Sequence, residues 1–181
     1  MPFKLESKPF RDSSYRPSVF YHERDVLHGK AWTLNLSGGY EHESNGRAGP
    51  DSRSINIVFL RPTVVLGQPT ECHWQLGAKL YAYLSKEENN HDIQKYRGFG
   101  DYYAVYGRPD NWELSVTARK GTSTNFASML VEAAVPMKTF VENFQGDLFI
   151  QYFWGYGETI LDYNLKGNPQ IRIGYQVWRE R

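Results

Sequence analysis

Residues 71–84 alternate at period two without a break: Cys72, Trp74, Leu76, Ala78, Leu80, Ala82 and Leu84 share one face, and His73, Gln75, Gly77, Lys79, Tyr81 and Tyr83 the other. Successive side chains of an extended chain point to opposite sides, so this pattern predicts a strand with one apolar face. The same split recurs where Trp112, Leu114, Val116 and Ala118 oppose Glu113, Ser115, Thr117 and Arg119, and where Ile171, Ile173, Tyr175 and Val177 oppose Arg172, Gly174 and Gln176. Leu148, Ile150, Tyr152, Trp154 and Tyr156 form a further apolar face. Over the whole chain the pattern predicts nine strands, at 18–27, 31–43, 53–66, 71–84, 98–107, 111–119, 126–135, 146–155 and 170–178. Short turns at 28–30, 67–70 and 108–110 alternate with longer polar loops at 44–52, 85–97 and 156–169, while 120–125 and 136–145 break that rhythm. Long alternating strands predict an all-β fold, and short turns on one side with longer loops on the other resemble the two ends of an antiparallel transmembrane β-barrel, one of two readings the pattern allows.

Composition narrows the alternatives. A chain of 181 residues, 40% hydrophobic, reads as one domain; taken as a membrane barrel with a periplasmic C-terminus, it has 1–17 as an extracellular loop segment and 18–178 as barrel strands. With 21 basic against 20 acidic side chains it has no electrostatic footprint for nucleic acid. One cysteine, Cys72, and five histidines provide neither a disulfide framework nor a thiolate metal cluster. No run of 18 apolar residues occurs, and the mean hydropathy of −0.60 would ordinarily read as soluble. Barrel strands average their hydropathy away, however, and 13 tyrosines, 5 tryptophans and 16 glycines suit membrane interfaces and bent strands. Composition by itself favours a soluble sandwich or lipocalin-like barrel. Periodicity leaves the choice open: apolar faces turned inward give a soluble binding barrel, whereas outward-turned faces put Lys79, Glu113, Arg119 and Arg172 in a lumen where they could pair. An odd strand count predicts either a fragment of a barrel with further strands upstream of residue 1 or a shortened barrel, and the opening Met1-Pro2-Phe3-Lys4-Leu5-Glu6 has no secretory-signal pattern.

The densest polar stretch runs from Tyr40 to Asn56. Within it His42 and Ser44, two apart on a strand, project from one face, the arrangement in which an imidazole can take the proton of a serine hydroxyl. Asn56 returns beside them on the next strand and can fix the imidazole tautomer, as a neutral amide does in Cys-His-Asn sites. Phase matters here. Trp32, Leu34, Leu36 and Tyr40 share the face of His42 and Ser44, and Asn56 is in phase with Val58 and Leu60, so the candidate site sits at the end of an apolar face. If that face meets lipid, the hydroxyl emerges at the level of lipid ester bonds. The alternative is a transport or structural barrel in which the pair is a hydrogen bond at the loop mouth.

His42-Glu43-Ser44-Asn45-Gly46-Arg47, followed by Pro50, Ser52-Arg53-Ser54 and Asn56, resembles the active-site segment of the bacterial outer-membrane phospholipase A family. Phe99-Gly100-Asp101-Tyr102, Gln151-Tyr152-Phe153 and the run from Gly155 to Asn164 resemble its later strands, so the similarity covers about residues 9–178. The resemblance implies a twelve-stranded barrel in the outer membrane, crossing it many times and hydrolysing glycerophospholipids, with Ser44 as nucleophile, His42 as base and Asn56 as orienting group. It implies Ca²⁺ held by the carbonyl of Arg47, the hydroxyl of Ser52 and, from the partner subunit of an active homodimer, a carbonyl at the position of Ser7. Gly49 and Asn89 stand where relatives carry carboxylates of an accessory calcium site, and the chain ends Trp178-Arg179-Glu180-Arg181 instead of on an aromatic residue.

Overall fold

A computed structural model describes residues 12–68, 70–108 and 111–177. Its strands are β1 (Ser18–His28), β2 (Trp32–Ser44), β3 (Ser54–Leu66), β4 (His73–Lys86), β5 (Gly100–Gly107), β6 (Glu113–Lys120), β7 (Ala127–Pro136), β8 (Asp147–Tyr156) and β9 (Lys166–Gln176). Each pairs antiparallel with the next, giving one nine-stranded sheet in chain order with β1 and β9 at its edges. The ends match the alternating pattern to within two residues except at the start of β9, which begins at Lys166 instead of 170. Lys166 and Gly167 lack apolar alternation but pair with Tyr156 and Gly155, and the edge position tolerates Pro169, which has no N–H to give.

Register decides which way the apolar faces look. Leu34, Val64, Leu76, Ala104, Val116, Val131, Tyr152 and Ile171 are successive cross-strand partners from β2 to β9, so they lie in one row on one face. That face is the exposed one, with Leu60, Leu76, Leu80, Leu114, Ile150 and Ile173 open on it. Lys79, Asp101, Arg119 and Ser128 form a corresponding row on the other face, where Glu41, Glu43, Lys79 and Ser128 are buried. A soluble lipocalin-like barrel needs the reverse, so that alternative is overturned. At the short-turn end of the exposed face stand Trp32, Trp74, Tyr106, Trp112 and Tyr175, with Trp74 and Tyr106 at 4.6 Å between ring centroids and Tyr106 and Trp112 at 5.6 Å. Tyr40, Tyr102 and Trp154 ring the other end. Two aromatic girdles bounding an apolar band are the outer surface of a membrane barrel wall.

The concave face is held by ion pairs. Lys79 donates to Glu41 at 2.7 Å, Arg97 to Glu43 at 3.0 Å, and Arg119 to both carboxylate oxygens of Asp101 at 2.7 and 3.0 Å. At the long-loop end the short helix α1 (Gln94–Arg97) and the 157–165 loop fold over the lumen. Ile93 and Ile160 are fully buried there against Ile55, Ile57 and Tyr163, and Tyr96 stacks on Phe126 at 4.4 Å. Gly98 makes this approach possible: its φ is +66°, and a Cβ would lie 1.9 Å from the carbonyl oxygen of Lys120.

Candidate active site

β2 and β3 pair without irregularity over thirteen positions, from Trp32 opposite Leu66 to Ser44 opposite Ser54. That register sets His42 directly against Asn56, and the imidazole Nδ1 meets Asn56 Oδ1 at 2.9 Å. With Nδ1 protonated it donates to the amide oxygen, leaving the Nε2 lone pair available. The amide is itself fixed: the Tyr40 hydroxyl donates to the same Oδ1, and Asn56 Nδ2 donates to Ser85 Oγ at 2.7 Å. Tyr40 was within reach of the sequence, two residues before His42 in the same phase. Ser85 was not. Plain alternation through 71–84 puts it in the lumen, but β4 carries an extra residue at Leu84, so Asn56 pairs Ser85 while Ile57 pairs Tyr83. This bulge turns Ser85 to the outer face.

Ser44 lies on that same outer face, half-buried, and its main chain is clamped by Tyr15: Ser44 N–H donates to the Tyr15 carbonyl at 3.0 Å and Tyr15 N–H to the Ser44 carbonyl at 2.8 Å. Among the described residues its hydroxyl makes no hydrogen bond to His42; such contacts commonly tighten only with substrate present. Opposite His42 and Ser44 across the strand, the buried Glu41 and Glu43 hold β2 from the lumen side through Lys79, Arg97 and Arg16.

Asn45 organises the adjoining loop. Buried, it accepts from the backbone N–H groups of Arg47 and Arg53 at 3.3 and 3.0 Å and donates to the Asp51 carbonyl at 2.8 Å. Gly46 supplies the required turn at φ +66°. The fold thus brings Arg47 and Ser52 to one small loop, and Ser52 Oγ donates to Glu87 Oε2 at 2.8 Å. Ser7 lies outside the described residues. Among the described residues no three His, Cys, Asp or Glu side chains are grouped to hold a metal. The candidate donors are instead a carbonyl, a hydroxyl and a neighbouring carboxylate, all hard oxygens suited to Ca²⁺. Asn89 Nδ2 donates to the Gly49 carbonyl at 3.1 Å, a neutral contact.

Farther along the loops, Asp92 accepts from the Tyr163 hydroxyl at 2.6 Å. Burial opposes ionisation of Asp92, yet Tyr163 and Lys95 together hold its carboxyl below the usual range. Burial and Asp92 push the Tyr163 phenol upward.

The sequence profile of the phospholipase A1 family matches residues 3–177. The phospholipase A1 of Salmonella typhimurium is 31% identical over 173 residues, covering 95% of this chain and 55% of that protein. The outer-membrane phospholipase A structure from Escherichia coli superposes with a TM-score of 0.78 at 27% identity, over 92% of this chain and 65% of that one. A Salmonella typhi outer-membrane phospholipase, solved as a dimer with bound calcium, gives 0.77 at 27% identity, over 92% and 61%. The chain therefore spans about half the length of the curated relatives it matches. Sequence profile, strand order and outward-facing apolar wall agree, and the chain belongs to the phospholipase A1 family of outer-membrane β-barrel proteins.

Proposed function

We propose that this chain carries the hydrolytic site of a calcium-dependent outer-membrane phospholipase that cleaves acyl esters of glycerophospholipids, with Ser44 as nucleophile, His42 as general base and Asn56 as the group that orients it. The observation that carries this reading is the His42–Asn56 hydrogen bond on the lipid-facing side, with Ser44 on the same face at the end of the apolar band. A soluble substrate would have no reason to be met there. An ester lying at the membrane surface would.

Ser44 Oγ attacks the ester carbonyl carbon as His42 Nε2 takes its proton. Collapse breaks the bond to the glycerol oxygen, which receives that proton and leaves as lysophospholipid. Water then loses a proton to His42 and attacks the acyl-enzyme, and fatty acid departs with Ser44 restored. Throughout, Asn56 Oδ1 holds Nδ1–H, and because the amide is neutral it fixes the tautomer without strongly stabilising an imidazolium.

The developing oxyanion needs donors that the backbone cannot readily give. The N–H of Ser44 is committed to Tyr15 and that of Asn45 to the Arg53 carbonyl, at 3.0 and 3.2 Å. Hydrolases of this type usually recruit such groups. A calcium ion near the Arg47 carbonyl and Ser52, with Glu87 adding negative charge, would supply the missing electrostatic stabilisation. The remaining oxygen ligand comes from the family resemblance alone, whereas a relative solved as a dimer with bound calcium supports the ion and the homodimer.

The test is covalent labelling of the folded chain in detergent micelles with a long-chain sulfonyl fluoride, followed by peptide mass spectrometry, alongside phospholipid hydrolysis with calcium and with EDTA. The adduct is expected on Ser44 and absent from Ser44→Ala. Hydrolysis is expected to fall roughly 10³-fold in Ser44→Ala and His42→Ala with unchanged heat-modifiable gel mobility, less in Asn56→Ala, and at least ~10-fold on calcium removal. A chain that hydrolyses nothing and takes no label is a transport or structural barrel.

A further inference from the structure

The connection between β7 and β8 lies at the short-turn end, where its neighbours are brief, yet it holds the apolar sequence Phe140-Val141-Glu142-Asn143-Phe144 in the open. Phe140, Val141 and Phe144 are 63%, 49% and 46% exposed, which a loop facing only water has no reason to maintain. The loop is nevertheless built. Met137 N–H donates to the Gly146 carbonyl at 2.9 Å, those of Phe140 and Val141 donate to Met137 at 2.9 Å, and that of Phe144 to Val141 at 3.1 Å. Those backbone groups are satisfied internally, as entry into a poorly hydrated layer requires.

Its position says which layer. Phe144 meets Tyr175 edge-on at 5.7 Å between ring centroids, and the Tyr175 hydroxyl donates to the Gln145 carbonyl. Tyr175 is on the outer face of β9, as the partner of Leu148 in the row that continues to Val135. At this end of the wall β2, β4 and β5 carry Trp32, Trp74 and Tyr106, and Trp112 stands just before β6, whereas the β7–β8 sector offers only Val135 and Leu148. The aromatic girdle has a gap there, and the loop stands beside it.

We propose that the 137–146 loop is a membrane-interface anchor, whose Phe140, Val141 and Phe144 enter the headgroup–acyl boundary of the leaflet at the short-turn end and complete the girdle between β7 and β9. Lys138 and Glu142 stay at the water side, within reach of lipid headgroups. The occupant is phospholipid, because the patch is continuous with the lipid-facing wall through Phe144 and Tyr175. The inference rests on the outer-membrane wall alone and is independent of whether Ser44 is a nucleophile.

In a Cys72→Ala background, which removes the free thiol of the chain, single cysteines at Phe140, Phe144, Trp112 and Gln68 are labelled with an environment-sensitive nitrobenzoxadiazole dye. The full chain is then inserted into dioleoyl phosphatidylcholine vesicles containing lipids spin-labelled at the headgroup or near the acyl-chain end. Labels at 140 and 144 are expected to be quenched to within about two-fold of the girdle position 112, more strongly by the headgroup probe than by the chain-end probe. Quenching no greater than at the turn position 68 overturns the proposal. So does burial of both labels, seen as a blue shift, without lipid quenching, since a second copy or another protein then covers the loop.

Discussion

Three partners hold Asn56, which suits it to the orienting role proposed for it. Its oxygen receives Tyr40 and His42, and its nitrogen is spent on Ser85, so the amide cannot flip without breaking hydrogen bonds on both ends. Each such bond contributes about 1 kcal/mol, or roughly five-fold in rate where it acts only through geometry of the base. Tyr40→Phe and Ser85→Ala are each expected to lower kcat by about five-fold with KM unchanged, and the double variant to approach Asn56→Ala. Steady-state kinetics on a micellar phospholipid checks this. A double variant as active as the parent chain would remove both residues from the site's support.

At the scale of elements, the loops over the lumen carry their own fastening. The Tyr163–Asp92 contact joins the 157–165 segment to the turn just before α1. Asp92 is held below its ordinary pKa, so its contribution is present above the unfolded value and is lost as pH falls through the lowered one. Tyr163 is raised, so its contribution is present below the unfolded phenol value and is lost as pH climbs through the raised one. The fastening is therefore complete between about pH 4 and pH 10. Limited proteolysis of the 87–98 and 157–165 loops across pH should rise at both limits, and Tyr163→Phe should make the loops susceptible throughout, removing the pH dependence. The β4 bulge belongs to this scale too: one extra residue at Leu84 supplies the site with Ser85 and changes nothing else in the register below it.

For the whole molecule, stability is arranged inside out. Lipid-facing side chains remain exposed on the protein, while the buried interior is rich in charges, so removing one partner leaves an uncompensated ion where water is scarce. Glu43 and Arg97, with side chains 5% and 6% exposed, are the clearest pair, and Glu43 also meets Arg16. Arg97→Leu is expected to destabilise the folded chain by about 3–5 kcal/mol, and Glu43→Gln with Arg97→Leu by less than Arg97→Leu alone. Urea unfolding in detergent followed by tryptophan fluorescence measures both. Because Glu43 separates His42 from Ser44 along β2, the single variant should also lower hydrolysis before it unfolds the sheet.

Strand positions, their apolar faces, and the candidate trio His42, Ser44 and Asn56 were legible in the chain, because period-two alternation and a short strand–loop–strand segment are local features. The sequence could not say whether the apolar faces looked inward or outward, since alternation is symmetric between the two; only the register carrying charges into one buried to half-buried row decided it. Nor could it give Ser85, Glu87 or the Tyr15 clamp, which lie 29, 35 and 29 residues from the groups they hold. A bulge, a folded loop and a returning segment bring those contacts together, and each is settled by packing between distant parts of the chain.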